Sequence, residues 1–320
     1  MKKILTLIGI LSILCGINKA EAQLIPQFSQ YMFNGLYINP AYAGYKDVLY
    51  GHVMYRKQWV NVESSPRTAM ISVDGPLKGG SNLGLVYAND KLGAAYSNNV
   101  MVDYSYRFKV SENSRLSFGL AAGIIQHGIN KSELRNEDLT TDPRVLSTET
   151  VWKPAFDAGV YFDAECFYAG LSVVGLLKNT SESGKEFLAI RTNANYFLTF
   201  GGIVPLNSSL KLMPSTLFGT DFKNPLKIDL TMMLMIADKF SVGSSYRMGA
   251  KWFSDVDDNV KSRGALVFLA EAFVSERVRI GFAYDLDLKK MNTGHNGGFE
   301  ISLGYYLTKA KQKHVTPRYF

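Results

Sequence analysis

The chain has 320 residues, 47% of them apolar and 20% charged, with a formal net charge of +7. That apolar content excludes a disordered chain, which could not bury enough surface to offset its ordering entropy. Two cysteines exclude a disulfide scaffold, and 28 glycines without a fixed period exclude collagen-like structure. Many aromatics (19 Phe, 18 Tyr, 3 Trp) with few charges leave two readings open, a large soluble β-protein or an outer-membrane barrel.

Residues 1–22 read as a secretory signal peptide. Lys2 and Lys3 form the basic start, Ile4 to Ile17 the apolar stretch, and Ala20-Glu21-Ala22 the small-x-small cleavage pattern. Cys15 raises a lipoprotein alternative, but Leu14 stands before it where a small residue is expected. Loss of Lys2, Lys3, Lys19 and Glu21 lowers the net charge from +7 to +5, too little and too dispersed for a nucleic-acid partner. The most apolar later stretch, Leu230 to Ala237, is far shorter than the roughly 20 residues a spanning helix needs.

Residues 23–45 form the next unit. They carry no Asp, Glu, Lys or Arg, yet are too polar to cross a membrane. Asn, Gln and Tyr offer neutral hydrogen bonding, while Pro40 and Gly44 oppose regular structure. A plug-like segment in or across the periplasmic mouth of a barrel fits, with Gln27, Phe28, Gln30, Tyr31, Phe33, Asn34, Asn39, Pro40 and Tyr42 as plug or partner-binding candidates.

From residue 46 to 308 the pattern alternates with period 2 in segments of about ten residues. Val100, Val102, Tyr104, Tyr106, Phe108 and Val110 share one face, with Asp103, Arg107 and Lys109 opposite. Val278 to Leu288 and Phe299 to Leu307 repeat the pattern. Fourteen strands are expected, near 48–59, 69–75, 82–91, 95–109, 115–128, 154–164, 166–174, 190–204, 208–219, 226–236, 239–250, 262–275, 277–288 and 297–308. Even-numbered connections are short, whereas 60–68, 129–153, 175–189, 251–261 and 289–296 are long, as in an up-and-down barrel with short periplasmic turns and both termini periplasmic. Trp59, Trp152 and Trp252 fall where strands meet long loops, the place of an aromatic girdle. Soluble strands average five or six residues, whereas a tilted strand needs about ten to cross a bilayer. The expected fold is therefore all-β, a transmembrane antiparallel barrel, followed by a tail at 309–320. Arg56, Asp103, Arg107, Lys109, Asp157, Arg247, Arg279, Asp285, Asp287 and Glu300 are assigned to its polar lumen.

Catalytic chemistry has little support. His52, His127, His295 and His314 lack metal-ligand spacing, and no GxSxG, Walker A or GxGxxG pattern occurs. His52 is expected to face inward beside Arg56. Ser244 belongs to a strand. Cys166, at the start of a strand with no adjacent base, reads as a small apolar residue. Asp285 and Asp287 form a structural ion network with Arg279, Arg107 and Lys109 rather than an acid pair. No cofactor is expected, and no enzyme.

The run Pro26-Gln27-Phe28-Ser29-Gln30-Tyr31-Met32-Phe33-Asn34, followed by Ile38-Asn39-Pro40-Ala41-Tyr42-Ala43-Gly44, resembles the PorP/SprF family, outer-membrane proteins of the type IX secretion system of Bacteroidetes. Tyr55-Arg56-Lys57-Gln58-Trp59, Asp74-Gly75-Pro76, residues 84–90 and Pro317-Arg318-Tyr319-Phe320 extend the resemblance over the mature chain. Gly35 stands where many members of the family have proline after Tyr31-Met32-Phe33-Asn34. The resemblance implies a non-catalytic fourteen-stranded barrel that either attaches a secreted surface protein or associates with periplasmic secretion components, with outer-membrane lipid around it. A small-solute channel is the alternative.

Overall fold

The computed structural model describes residues 28–130, 149–177, 179–180, 191–250, 264–288 and 297–307. The leader, Gln27, Trp252, His295, His314, most of the long loops and the tail lie outside them. Fourteen strands of eight to fifteen residues form one antiparallel sheet: β1 (Tyr50–Gln58), β2 (Arg67–Pro76), β3 (Ser81–Leu92), β4 (Ala95–Lys109), β5 (Arg115–Ile129), β6 (Glu149–Asp163), β7 (Phe167–Val174), β8 (Asn195–Gly202), β9 (Leu210–Thr220), β10 (Leu226–Ile236), β11 (Phe240–Ala250), β12 (Ala265–Phe273), β13 (Val278–Asp287) and β14 (Gly298–Tyr306). Each pairs with its neighbours in sequence, and β1 pairs with β14 from Tyr50↔Tyr306 to Gln58↔Gly298. The sheet is a closed barrel, which leaves no sheet edge running through a bilayer.

The period-2 alternation becomes an inside and an outside. Val53, Ile71, Tyr87, Val100, Ile124 and Leu303 are exposed on the outer wall, while Met54, Met70, Met101, Ser105 and Arg279 are buried inside. Large apolar side chains exposed in continuous rows suit hydrocarbon rather than water. Replacing Leu303, midway along β14 and 48% exposed, by arginine is expected to cost about 2–4 kcal/mol. The urea midpoint of the barrel refolded in lipid bilayers measures this; an unchanged midpoint would remove that face from the lipid.

One end carries the β2–β3, β4–β5, β6–β7, β8–β9, β10–β11 and β12–β13 connections, all short. In the three-residue β10–β11 connection, Ala237 and Asp238 both take positive φ (52° and 55°), as a primed turn closed by Lys239 N–H on the Ile236 carbonyl (3.1 Å) requires. The opposite end carries the long loops, with two exceptions: β3 and β4 are joined by Gly93-Ala94 alone, and β9 and β10 by residues 221–225.

Most strand bounds lie within one to three residues of the sequence expectation, and three differences change a reading. Strand β6 begins at Glu149, five residues before the expected start, and runs through Pro154. Leu176 N–H donates to the Phe156 carbonyl (2.8 Å), so alternation turns the backbone groups of Phe156, Pro154 and Trp152 toward β7. The β6–β7 ladder begins only at Ala158, so Pro154 owes no hydrogen bond there. Trp152 therefore lies within a strand, exposed, rather than at a strand–loop junction; Trp59 directly follows β1. The expected strand at 190–204 splits, because Arg191–Thr192 pairs with Asn179–Thr180 in a separate ladder and β8 starts at Asn195. Cys166 sits in the β6–β7 turn and is exposed, not a small apolar strand residue.

Candidate functional site

The interior of the barrel is occupied by its own amino-terminal segment. Residues 28–36 and 38–46 are buried, and the wall closes around them. Two 3-10 turns shape the segment, Gly35–Tyr37 and Pro40–Tyr42. Each is capped by an asparagine whose side-chain oxygen accepts the N–H two residues on: Asn34 from Leu36 (3.3 Å) and Asn39 from Ala41 (2.9 Å). Pro40, expected only to break structure, begins the second turn, where its missing N–H costs nothing.

The neutral polar residues bond outward to the wall. Asn34 Nδ2 donates to Ser72 Oγ (2.8 Å) and lies 3.0 Å from His52 Nδ1; Asn39 Nδ2 donates to the carbonyls of Val160 (3.1 Å) and Leu171 (3.4 Å). Gln30 Oε1 accepts from Ser302 (2.7 Å), and the Tyr31 hydroxyl lies 3.2 Å from Ser215 Oγ. Gly44 N–H donates to Asp74 (2.7 Å). Aromatic packing completes the fit: Phe28 meets Tyr37 edge-on at 5.1 Å, and Tyr42 and Tyr45 both meet Tyr161.

Inward-facing glycines make the room. A Cβ on Gly119 would lie 2.1 Å from Ala41 N, one on Gly159 2.1 Å from Asn39 Oδ1, and one on Gly281 2.2 Å from Gln30 Oε1. The sequence signal for them was glycine at an inward strand position, and it went unread.

Charge anchors the segment at three places. Toward the long-loop end, Glu300 accepts the backbone N–H groups of Ser29 (2.6 Å) and Gln30 (3.1 Å) and pairs with Arg56. Ser29 Oγ donates to Asp285 (2.7 Å) and accepts from Arg56 (3.1 Å) and Arg247 (3.0 Å). Arg56 also pairs with Asp285 (2.5 Å), and Arg247 with Asp229 (2.9 Å). Arg279, fully buried, lies 3.1 Å from Glu271, donates to the Phe33 carbonyl (3.1 Å) and covers the Phe33 ring at 4.8 Å. At the short-turn end, Asp47 pairs with Arg107 (2.6 Å) and Arg115 (2.8 Å).

The expected single network of Asp285, Asp287, Arg279, Arg107 and Lys109 is thus three separate sets. Asp287 is half-buried and Lys109 exposed at its strand end. Asp103 is buried inside, and Asp157 accepts Gly175 N–H (2.7 Å) near the long-loop end. The segment also reaches farther than a periplasmic mouth. Arg56, Asp285 and Glu300 are each the third residue from the long-loop end of their strands, so Ser29 lies in that half of the lumen. Ser29, Asp47, Asp229 and Glu271 were not assigned from sequence.

A closed fourteen-stranded barrel, apolar outside and filled by its own neutral segment, defines an outer-membrane β-barrel protein. The family model for the type IX secretion system membrane protein PorP/SprF matches residues 20–305, and the chain belongs to that family. No curated protein matches the chain. Among solved structures, a TodX deltaS2S3 mutant, titled a monoaromatic hydrocarbon channel, superposes with a TM-score of 0.52 at 10% identity, over 87% of this chain and 94% of that one. A Pseudomonas aeruginosa FadL homologue gives 0.48 at 13% identity (90% and 96% covered), and the CymD monoaromatic hydrocarbon channel 0.49 at 11% (88% and 93%). At these identities the likeness concerns the barrel alone.

Proposed function

We propose that this protein is a non-catalytic anchor of the type IX system, holding a secreted surface protein through the loops at its long-loop end. Family membership supplies the system. The filled lumen carries the rest: with the interior occupied by residues 28–47, the surfaces left for a partner are the two ends. The long-loop end faces the cell exterior in this reading, and the short-turn end, where β1 begins and β14 ends, faces the periplasm. The barrel positions the loops, and the lumenal segment stiffens the wall beneath them.

Deleting the gene should leave the secreted partner made but absent from the cell surface, and copurification from native membranes should recover it. Unchanged surface display overturns the reading. Recovery of periplasmic secretion components alone would replace it with a structural role at the periplasmic side. Orientation has its own readout. A membrane-impermeant maleimide on intact cells should label an Asn61→Cys variant in the β1–β2 loop and spare the native Cys166 in the β6–β7 turn.

A further inference from the structure

The wall of the barrel is uneven at the long-loop end. Strand β6 pairs with β5 along its whole length, from Ile129↔Glu149 to Arg115↔Asp163. On its other side the ladder to β7 covers only Ala158 to Asp163. Leu176 N–H reaches the Phe156 carbonyl (2.8 Å) and Gly175 N–H the Asp157 carboxylate (2.7 Å), and pairing stops there. The β7–β8 hairpin then turns away, since Asn179–Thr180 pairs with Arg191–Thr192 rather than with β6. Above Phe156, β6 is an edge strand.

Alternation fixes what that edge offers. The N–H and C=O groups of Thr150 and Trp152 and the C=O of Pro154 point away from β5. None of them has a hydrogen-bond partner among the described residues. Pro154, with no N–H, ends the run toward the lipid. On the outer wall the same level carries Gln126, Asn98 and Asn89, their amides joined at 2.8 Å each; two residues lower it carries Ile124 and Val100. An amide row of that kind lies outside hydrocarbon, so the open edge stands above the bilayer.

A free edge, with donors and acceptors repeating every two residues, is matched by another extended chain. A second copy of the barrel does not supply it. Copies related by a two-fold axis along the membrane normal cross their β6 strands at twice the strand tilt, about 70–90°, far from the roughly 20–25° between paired strands. Copies related by translation turn their β6 edges the same way, so the two edges do not meet.

We propose that the β6 edge from Thr150 to Pro154 is where the secreted partner docks, adding one of its own extended segments as a strand beside β6. Main-chain hydrogen bonds to Thr150 and Trp152 hold the segment, a β-branched or aromatic residue of it packs beside Trp152, and Pro154 limits how far it zips. The inference rests on the anchor reading above and on the long-loop end facing outward.

Prolines test the backbone itself. Thr150→Pro with Trp152→Pro removes both edge N–H groups and, like the native Pro154, spares the β5 ladder, so the barrel should keep its heat-modifiable gel mobility. Mass spectrometry of biotinylated proteins from intact cells identifies those that leave the surface when the gene is deleted. The proline variant should lose the same proteins, about tenfold or more. Thr150→Val with Trp152→Tyr keeps both N–H groups and should display them within about twofold of wild type. Hydrogen exchange reads the edge directly. In the purified full-length barrel the Thr150 and Trp152 amides should exchange about tenfold or more faster than those of Val151 and Lys153, and in the complex copurified from native membranes they should slow to match. A surface unchanged by the gene deletion overturns the anchor reading and the docking with it. Loss on deletion with full display by the folded proline variant overturns the edge alone. Protection of both amides in the purified barrel does the same, because the chain would then close the edge itself.

Discussion

Removing residues 28–47 should turn the barrel into a steady ion conductor in planar bilayers, with mean conductance raised about tenfold or more over the full chain. Eight-stranded barrels are filled by their own wall side chains, and barrels of 16–18 strands hold aqueous channels. Fourteen strands fall between, and here the wall does not fill the space. Its inner face is lined by residues such as Ser72, Ser105, Ser117 and Gly119, small enough to admit a polypeptide. The filler is the segment, with Phe33, Ala43 and Tyr45 sealed almost completely from solvent. Taking it out leaves a wide lumen lined with serine hydroxyls and paired charges, which water enters readily. The deletion also removes packing, so a second variant guards the result. Gly119→Leu with Gly159→Leu drives side chains into the backbone of Ala41 and the amide of Asn39, which displaces the segment while keeping the chain whole. Both variants should keep the heat-modifiable mobility of a folded barrel. Folded variants that conduct no better than wild type would mean that the wall, not the segment, closes the lumen.

The barrel was legible in the sequence because lipid and lumen impose opposite chemistry on alternate residues over long strands. Val100, Val102, Tyr104, Tyr106 and Phe108 face out and Met101, Asp103 and Ser105 face in, as alternation requires. Pro154 misled the reading of β6, since whether a proline is tolerated depends on which neighbour strand its nitrogen faces. The lumenal ion pairs were legible only in part. Asp229 lies directly opposite Arg247 across one hairpin, so local register suffices for that pair. Arg56 lies opposite Glu300 only once β1 meets β14, a pairing no local pattern specifies. Ser29 and Glu300 are 271 residues apart, and their contact exists only when the segment is inside the closed barrel. The neutral composition of residues 23–45 announced a segment meant to be buried without charge, but not how far into the lumen it runs.

That closure-dependent contact sets the second large expectation. Glu300 is fully buried, and its two oxygens serve three donors: the N–H groups of Ser29 and Gln30 and the guanidinium of Arg56. In Glu300→Gln one oxygen remains, and the new amide points donors at donors. Arg56 then keeps Asp285 as its one carboxylate partner, beside its bond to Ser29 Oγ, and one backbone N–H loses its acceptor. Removing one partner of a buried ion pair costs about 3–5 kcal/mol, because the charge left behind stays desolvated. The loss should appear as a lowered urea midpoint of the refolded barrel and as faster proteolysis between residues 28 and 49. Glu112→Gln, exposed in the β4–β5 turn, should change stability by about 0.5 kcal/mol or less. Arg56→Met and Glu300→Gln combined should cost less than the two single losses added together, with a coupling of about 1–3 kcal/mol, because neither partner is then left as an isolated charge. Strict additivity would show that Glu300 acts through the Ser29 and Gln30 N–H groups alone. A Glu300→Gln barrel with wild-type stability and a protected segment would show that the aromatic packing around Tyr42, Tyr45 and Tyr161 holds the segment without its ionic anchor.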